Sequence, residues 1–212
     1  MSISALCALH SRVCSRSINP LSDLFFTMQI KLIILDFDGT LASTADAHTK
    51  AYISALRESG ITFSEEEYRS RFFGVRCSEF LRTIGITDKE KMERIRLRKI
   101  ELYPTFFDTV RLNEPLWNFV QDFRSQGGKA WIVSTGQRDN ITNAMHYLGI
   151  EGMVDGVLSS DDVVEPKPSP EAFLKAMEIE GVTPAETLIF EDSAVGLAAA
   201  KASGAAYFKV EL

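Results

Sequence analysis

Short aliphatic runs alternate along the chain with segments in which hydrophobic residues recur every three or four positions. Runs of the first kind are typical of strands buried on both faces of a parallel sheet. They cover residues 30–35, 130–133, 156–158, 187–190 and 206–210. Segments of the second kind predict helices over residues 114–125, 138–148, 170–179 and 193–203. The alternation predicts an α/β fold with a Rossmann-like, doubly wound parallel sheet.

The stretch between the first two predicted strands lacks this alternation. Two of its helical segments follow a Ser or Thr with Glu three positions later, at Ser64 and Thr87, which is the pattern of a capping box. Its helical patterns cover residues 44–58, 65–73, 78–84 and 89–106. A largely helical segment of this length is too long for a simple crossover. We therefore predict an inserted helical cap at residues 43–109, within an α/β core formed by residues 28–42 and 110–212.

The first 27 residues differ in composition from the rest of the chain. They are rich in serine and contain Arg12 and Arg16 but a single acid, Asp23. Such a composition is typical of an organellar transit peptide. Alternatively, the segment is an upstream extension of a protein that starts at Met28. In either case we expect a disordered or non-native leader at residues 1–27, and a cytoplasmic protein unless the leader is a transit peptide.

Composition and charge exclude several function classes. The 212 residues are 45% hydrophobic and 25% charged, as in a soluble globular protein, and no apolar run is long enough to span a membrane. Lys and Arg number 23 against 29 Asp and Glu, and this net charge of −6 argues against sequence-independent nucleic-acid binding. Cys7, Cys14 and Cys77 lack metal-type spacing and predict neither a disulfide framework nor a zinc site. We expect a monomer with no nucleic-acid or membrane partner.

Two acids directly follow the first predicted strand, in the segment Asp36-Phe37-Asp38-Gly39-Thr40. The two-residue period of a strand places both carboxylates on one side of the chain, at the strand end where open α/β sheets bind their ligands. Neighbouring carboxylates repel each other unless a cation lies between them. Mg²⁺ suits this position because it prefers oxygen ligands and is usually held by one or two carboxylates together with substrate phosphate. The segment therefore predicts a Mg²⁺ site.

Further polar residues lie at the ends of the other predicted elements. Ser134 ends the second strand, where its hydroxyl could bind a phosphoryl oxygen. Lys167 lies just before a proline-started helix, and its charge could neutralise phosphate and keep Asp36 ionised. Glu191 and Asp192 follow the fourth strand and offer additional oxygen ligands for Mg²⁺. We expect these residues to converge on one site for an anionic substrate.

Four segments resemble, in this order, the four motifs of the haloacid dehalogenase-like superfamily of phosphotransferases. They are Asp36-Phe37-Asp38-Gly39-Thr40, the segment that ends in Ser134, the segment with Lys167, and Glu191-Asp192. The resemblance implies phosphoryl transfer through an aspartyl-phosphate, with Asp36 as the nucleophile and Asp38 as the general acid and base. It also implies Mg²⁺ as the cofactor. The implied phosphate-binding residues are Ser134, Thr135 and Lys167, and the implied metal ligands are Asp36, Asp38, Glu191 and Asp192.

Within that superfamily, the position of the predicted cap makes the chain similar to the β-phosphoglucomutases and their sugar-phosphatase relatives. His48 matches the position of a histidine at the hinge of the mutase cap. Gly74-Val75-Arg76 is similar to the substrate loop of that cap, and the segment around Lys99 is similar to the one that carries a cap lysine. The resemblance implies that His48, Arg76 and Lys99 contribute to substrate binding.

These observations predict a Mg²⁺-dependent phosphatase whose partner is a small phosphorylated metabolite, with sugar phosphates as the expected substrates. A hexose phosphomutase of the β-phosphoglucomutase type is the alternative. A third hypothesis is a non-catalytic phosphate-binding regulatory module, because such modules also carry a phosphorylatable Asp beside Mg²⁺-binding acids. The long cap and Asp38 argue against this third hypothesis.

Overall fold

The computed structural model describes residues 30–212, so the predicted leader lies outside the described part of the chain. Its strands are β1 (Leu32–Leu35), β2 (Ala42–Ser43), β3 (Arg111–Leu112), β4 (Lys129–Val133), β5 (Gly156–Leu158), β6 (Thr187–Glu191) and β7 (Ala206–Lys209). Five of them form a parallel sheet in the order β5-β4-β1-β6-β7. These are the five predicted strands, each with ends within two residues of the prediction.

Helices flank the sheet and fill the segment between β2 and β3. The helices of this insertion are α1 (Ala45–Glu58), α2 (Glu65–Arg71), α3 (Cys77–Thr83) and α4 (Lys89–Leu102), followed by a 3₁₀ segment (Tyr103–Thr109). The helices around the sheet are α5 (Glu114–Ser125), α6 (Arg138–Tyr147), α7 (Glu171–Glu180) and α8 (Ala194–Ser203). Within residues 30–212, no helix is long and apolar enough to cross a membrane.

The central strand β1 is buried on both faces of the sheet. Ile33 and Leu35 pack in one cluster with apolar residues of α5 and α6, while Leu32 and Ile34 pack in a second cluster with those of α7 and α8. All four side chains are completely buried. Because helices cover opposite faces of one parallel sheet, the predicted doubly wound α/β fold is confirmed.

The helical insertion, residues 45–109, has a hydrophobic cluster of its own, in which aromatic side chains pack around Phe80. The antiparallel pair of β2 with β3 joins the two connections between the insertion and the sheet. These two-residue strands are too short to leave a hydrophobic pattern in the sequence. The predicted boundary between core and cap, between residues 42 and 43, falls inside β2. The limits of the two domains stay a prediction.

Two helix ends in the insertion differ from the expectation. Asp88, not Thr87, caps α4 with its side chain. The predicted helix at residues 89–106 consists of two elements, because the chain changes to 3₁₀ geometry after Leu102. Pro104 lies in the first turn of that 3₁₀ segment and lacks the N–H that a continuing α-helix needs.

Asp155 connects the loop before β5 to β4 and α5. Its carboxylate accepts hydrogen bonds from Arg124, Lys129 and the Ala130 N–H, each at 2.9 Å. Burial opposes ionisation, but these donors lower the pKa of Asp155 to about 2. A carboxyl whose pKa is lower in the folded than in the unfolded protein contributes stability above its unfolded-state pKa and loses that contribution as the pH falls through its folded-state value.

We expect Asp155→Asn to lower the free energy of unfolding by about 1–3 kcal/mol at neutral pH, because the amide loses the charge-assisted hydrogen bonds. The difference from wild type is expected to shrink as the pH falls from about 4, the unfolded-state pKa, towards about 2. Urea unfolding of both proteins across this range measures the difference. A constant difference down to the lower pH would contradict the role assigned to the carboxylate.

Candidate active site

The polar residues that follow the predicted strands converge at one edge of the sheet. β1 lies between β4 and β6, so the segments that follow these three strands are neighbours. Asp36 directly follows β1, Ser134 follows β4, and Glu191 ends β6. The loop before α7 brings Lys167 to the same place. This carboxyl edge is where open parallel α/β sheets bind their ligands.

Lys167 lies at the centre of the site, buried between two acids. Its Nζ donates hydrogen bonds to Asp36 Oδ1 and Glu191 Oε2, each at 2.6 Å, and to the Val133 carbonyl oxygen at 3.0 Å. The Lys167 and Glu191 side chains are 2% and 1% exposed, so solvent screens their charges little. Although burial alone would lower it, the two carboxylates raise the pKa of Lys167, which therefore stays positively charged.

Glu191 is fixed by the turn that starts α8. Its Oε1 accepts hydrogen bonds from the Asp192 N–H, the Ser193 N–H and the Ser193 hydroxyl, at 3.1, 3.0 and 2.9 Å. Gly196 leaves space for this carboxylate, because a Cβ at that position would lie 2.0 Å from it. With Lys167 bound to Oε2, both carboxylate oxygens of Glu191 already accept hydrogen bonds.

Asp36, Glu191 and Asp192 form an acidic cluster whose ligand oxygens lie within 4.8 Å of one another. Burial raises the pKa of Asp36 and of Asp192, and Glu191 raises both further, while Lys167 opposes the rise at Asp36. Three carboxylates beside one ammonium group leave an excess of negative charge. A hard divalent cation would offset this excess and would find oxygen ligands here, so the residues fit the predicted Mg²⁺.

Asp192 packs closely against the loop that follows β1. Gly39 has a φ of +92°, and a Cβ at this position would lie 2.3 Å from Asp192 Oδ2. Thr40 donates a hydrogen bond to Asp192 Oδ1 at 3.1 Å. The glycine of the Asp-Phe-Asp-Gly-Thr segment is therefore needed both for the left-handed backbone and for the approach of the second acidic segment.

Asp38, the fourth predicted metal ligand, lies outside the acidic cluster. Thr44 donates to Asp38 Oδ1 at 2.6 Å, His48 Nε2 lies 3.1 Å from the same oxygen, and Ser134 donates to Oδ2 at 3.4 Å. Burial opposes ionisation, but His48 and Thr44 lower the pKa of Asp38 to about 2. The Asp38 carboxylate is therefore ionised in this arrangement and is directed towards the helical insertion.

His48 and Lys99 extend from Asp38 into the helical insertion as a hydrogen-bonded chain. Lys99 Nζ lies 2.8 Å from His48 Nδ1. Because an ammonium group can only donate, Nδ1 accepts and the proton of the neutral ring lies on Nε2, facing Asp38. Burial lowers the pKa of Lys99 to about 8 and also lowers the pKa of His48. His48 and Lys99, both predicted in the cap, thus form a chain of contacts that ends at Asp38, the predicted general acid and base.

Two predicted residues do not join these contacts. Thr135 is exposed after Ser134, and Arg76 is exposed at the start of α3. Within residues 30–212, neither side chain forms a hydrogen bond or an ion pair with the other predicted site residues. Phosphate binding by Thr135 and substrate binding by Arg76 stay predictions.

Several residues that contact the site received no role from the sequence, among them Thr40, Thr44 and Tyr103. Thr44 occupies the N-cap position of α1, where a threonine ordinarily signals only a helix start. Its hydroxyl donates to Asp38 instead of capping the helix. Tyr103 begins the 3₁₀ segment, far along the chain from the residues it contacts, and no local pattern marks it.

A model of the haloacid dehalogenase-like hydrolase family matches residues 33–210. Protein CbbY of Rhodobacter capsulatus is 29% identical over 189 residues, which cover 84% of this chain and 83% of that protein. The fructose-1-phosphate phosphatase YqaB of Escherichia coli strain K12 is 27% identical, with 81% of this chain and 92% of that protein covered.

Solved structures share the fold. The structure of CbbY from Rhodobacter sphaeroides in complex with phosphate has a TM-score of 0.78 and 24% sequence identity, and it covers 86% of this chain and 87% of that chain. The family match spans all four predicted motifs, from Asp36 to Asp192. The resemblance inferred from those motifs is therefore confirmed, and the protein belongs to the haloacid dehalogenase-like hydrolase family.

Proposed function

We propose that the protein is a Mg²⁺-dependent phosphatase that hydrolyses sugar phosphates through a phosphorylated aspartate. The observation that carries this proposal is the contact of Asp36 with Lys167 beside Glu191 and Asp192 at the carboxyl edge of the sheet. A carboxylate attacks a phosphate anion only where positive charge reduces their repulsion. This site combines a fixed cation, the Lys167 ammonium group, with oxygen ligands for a second cation, Mg²⁺.

In the first half-reaction, Asp36 attacks phosphorus in line with its bond to the sugar oxygen, and that bond breaks. The phosphoryl group becomes attached to Asp36, and the leaving oxygen takes a proton from Asp38. Lys167 stabilises the charge of the transferred group, and the Ser134 hydroxyl donates a hydrogen bond to it. In the second half-reaction, Asp38 takes a proton from water, and the water oxygen attacks phosphorus. The bond between phosphorus and the Asp36 carboxylate breaks, which releases inorganic phosphate and restores Asp36.

The acidic cluster of Asp36, Glu191 and Asp192 would hold the metal. Glu191 would also orient Lys167 and the start of α8, because its two oxygens accept hydrogen bonds from them. When bound, Mg²⁺ neutralises phosphoryl oxygens and keeps Asp36 ionised.

Asp38 must be protonated to act as the acid, although its pKa is about 2 in this arrangement. A bound phosphate dianion is a like charge at short range and raises that pKa. Contact with His48, itself hydrogen-bonded to Lys99, favours the ionised form again once the leaving group has departed. These opposing effects suit a residue that first donates and then accepts a proton.

The proposed substrate class comes from the relatives. One is a fructose-1-phosphate phosphatase, and another, from Thermotoga maritima, is a phosphorylated carbohydrates phosphatase that is 28% identical to this chain. Residues 43–109 would form the cap that selects the substrate, because His48 and Lys99 reach Asp38 from there. Within this proposal, Arg76 contacts the sugar phosphate and Thr135 contacts the transferred phosphoryl group.

A hexose phosphomutase is the second candidate function. The contact between Lys99 and His48 favours it, because both positions match the mutase resemblance. In a mutase, the phosphorylated aspartate transfers its phosphoryl group to a sugar hydroxyl instead of to water. The two functions therefore differ in the acceptor of the phosphoryl group, which is water or a sugar hydroxyl, and share Asp36 as the nucleophile.

Phosphate release from a panel of sugar phosphates tests the proposal. We expect turnover with Mg²⁺ and only background release after chelation. Glucose 1-phosphate, assayed with and without glucose 1,6-bisphosphate, separates the two candidates. A phosphatase that accepts it releases phosphate in both assays, whereas a mutase forms glucose 6-phosphate after priming and releases no net phosphate. If no phosphate ester is turned over in any of these assays, both candidates are wrong.

A further inference from the structure

Tyr103 lies where the helical insertion meets the site, and its ring contacts two members of the chain that ends at Asp38. The ring stacks on His48, with centroids 4.2 Å apart and planes inclined by 19°. Lys99 Nζ lies 4.4 Å from the centroid of the same ring. Tyr103 is 1% exposed, so these contacts are shielded from water.

The surroundings of Tyr103 leave its ring little freedom. Phe107 packs against it nearly perpendicularly, with centroids 4.9 Å apart. Stacking on His48 and packing against Phe107 therefore hold the ring from two sides.

We propose that Tyr103 is a positioning residue that holds His48 and Lys99 in line, so that His48 presents its Nε2–H to Asp38. The stacked ring prevents the imidazole from turning, and the cation–π contact keeps the ammonium group opposite Nδ1. An ammonium donor at Nδ1 in turn fixes the tautomer. The catalytic consequence rests on the proposed function, in which Asp38 transfers the protons.

Substrates with different leaving groups separate this role from simple packing. A sugar leaves as an alcohol and needs a proton from Asp38, whereas p-nitrophenolate leaves as a stable anion. We expect Tyr103→Leu to lower kcat/KM at least about tenfold for the best sugar phosphate of the panel, but less than about threefold for p-nitrophenyl phosphate. Tyr103→Phe keeps the ring and is expected to restore most of the loss.

Phe80→Leu is the matched control. Phe80 is also 1% exposed, and it packs in the aromatic cluster of the insertion. We expect this substitution to lower stability without discriminating between the two substrates. Equal losses of kcat/KM for both substrates in Tyr103→Leu would indicate a packing role alone and would overturn the proposal.

Nitrogen-15 NMR of histidine-labelled protein tests the alignment without any substrate. The His48 signals, assigned by their loss in His48→Asn, are expected to report a single Nε2–H tautomer in wild type and in Tyr103→Phe. In Tyr103→Leu we expect a mixture of tautomers. An unchanged tautomer in Tyr103→Leu overturns the inference even in an active enzyme. A protein that shows the change but hydrolyses no phosphate ester supports the alignment and overturns only the proposed function.

Discussion

Asp36→Asn is expected to abolish phosphate release, with a fall in kcat of at least about 10⁴-fold. The amide has nearly the shape of the carboxylate but neither its charge nor its nucleophilicity, so no phosphorylated enzyme forms. Folding is expected to persist, because Lys167 retains Glu191 as an ion-pair partner. Acid quenching during turnover, followed by peptide mass spectrometry, measures the phosphoryl group on Asp36 in wild type and its loss in the variant.

Asp139→Asn makes the same chemical change at an exposed acid in the first turn of α6. We expect this control to keep the wild-type rate and the phosphorylated Asp36. If Asp36→Asn hydrolysed sugar phosphates as fast as wild type, the assignment of the nucleophile would be wrong. A phosphoryl group trapped on a different residue would identify the true nucleophile.

Lys167→Met is expected to lower both stability and activity, because it leaves Asp36 and Glu191 buried without their shared cation. Removal of one partner of a buried ion pair costs about 3–5 kcal/mol. Burial raises the pKa of Asp36 and Lys167 opposes that rise. Without the lysine the pKa of Asp36 rises further, so the variant takes up a proton on folding and its deficit shrinks as the pH falls. We also expect kcat to fall at least about 100-fold, because in the proposed mechanism Lys167 stabilises the transferred phosphoryl group.

Added Mg²⁺ gives a second readout for Lys167→Met. If Asp36 and Asp192 bind the cation, Mg²⁺ is expected to raise the Tm of the variant more than that of wild type, because it replaces part of the missing charge. Lys175→Met is the control, since Lys175 donates to the Asp162 carbonyl oxygen at 2.7 Å, away from the acidic cluster. A Lys167→Met protein with wild-type stability across the pH range would refute the role of this lysine.

The strands of the sheet and many of the site residues could be predicted, because both produce a local pattern in the sequence. Strands buried on both faces are continuous aliphatic runs, as in β1 and β4. Asp36, Ser134 and Glu191 lie at or directly after the ends of such strands, and the carboxyl ends of adjacent parallel strands meet at one edge. Lys167 has the weakest local signal, because a single lysine before a helix has no distinctive pattern, and the match to a family motif strengthens its assignment.

Other features have no local pattern and could not be predicted. The pair of β2 and β3 is too short for a hydrophobic period, and Asp88 could not be distinguished from Thr87 as the cap of α4. The family resemblance groups Asp38 with the metal ligands, and that role stays a prediction. In the folded protein its carboxylate turns to Thr44 and His48.

The fold class, the helical insertion and the chemical groups at the carboxyl edge of the sheet follow from the sequence alone, because hydrophobic period and strand ends encode them locally. How the insertion meets that edge depends on tertiary packing. His48, Lys99 and Tyr103 come from α1, α4 and the 3₁₀ segment, and they form one assembly at Asp38 because the insertion packs against the sheet edge. Contacts between residues so far apart along the chain depend on packing, which no local pattern of residues records.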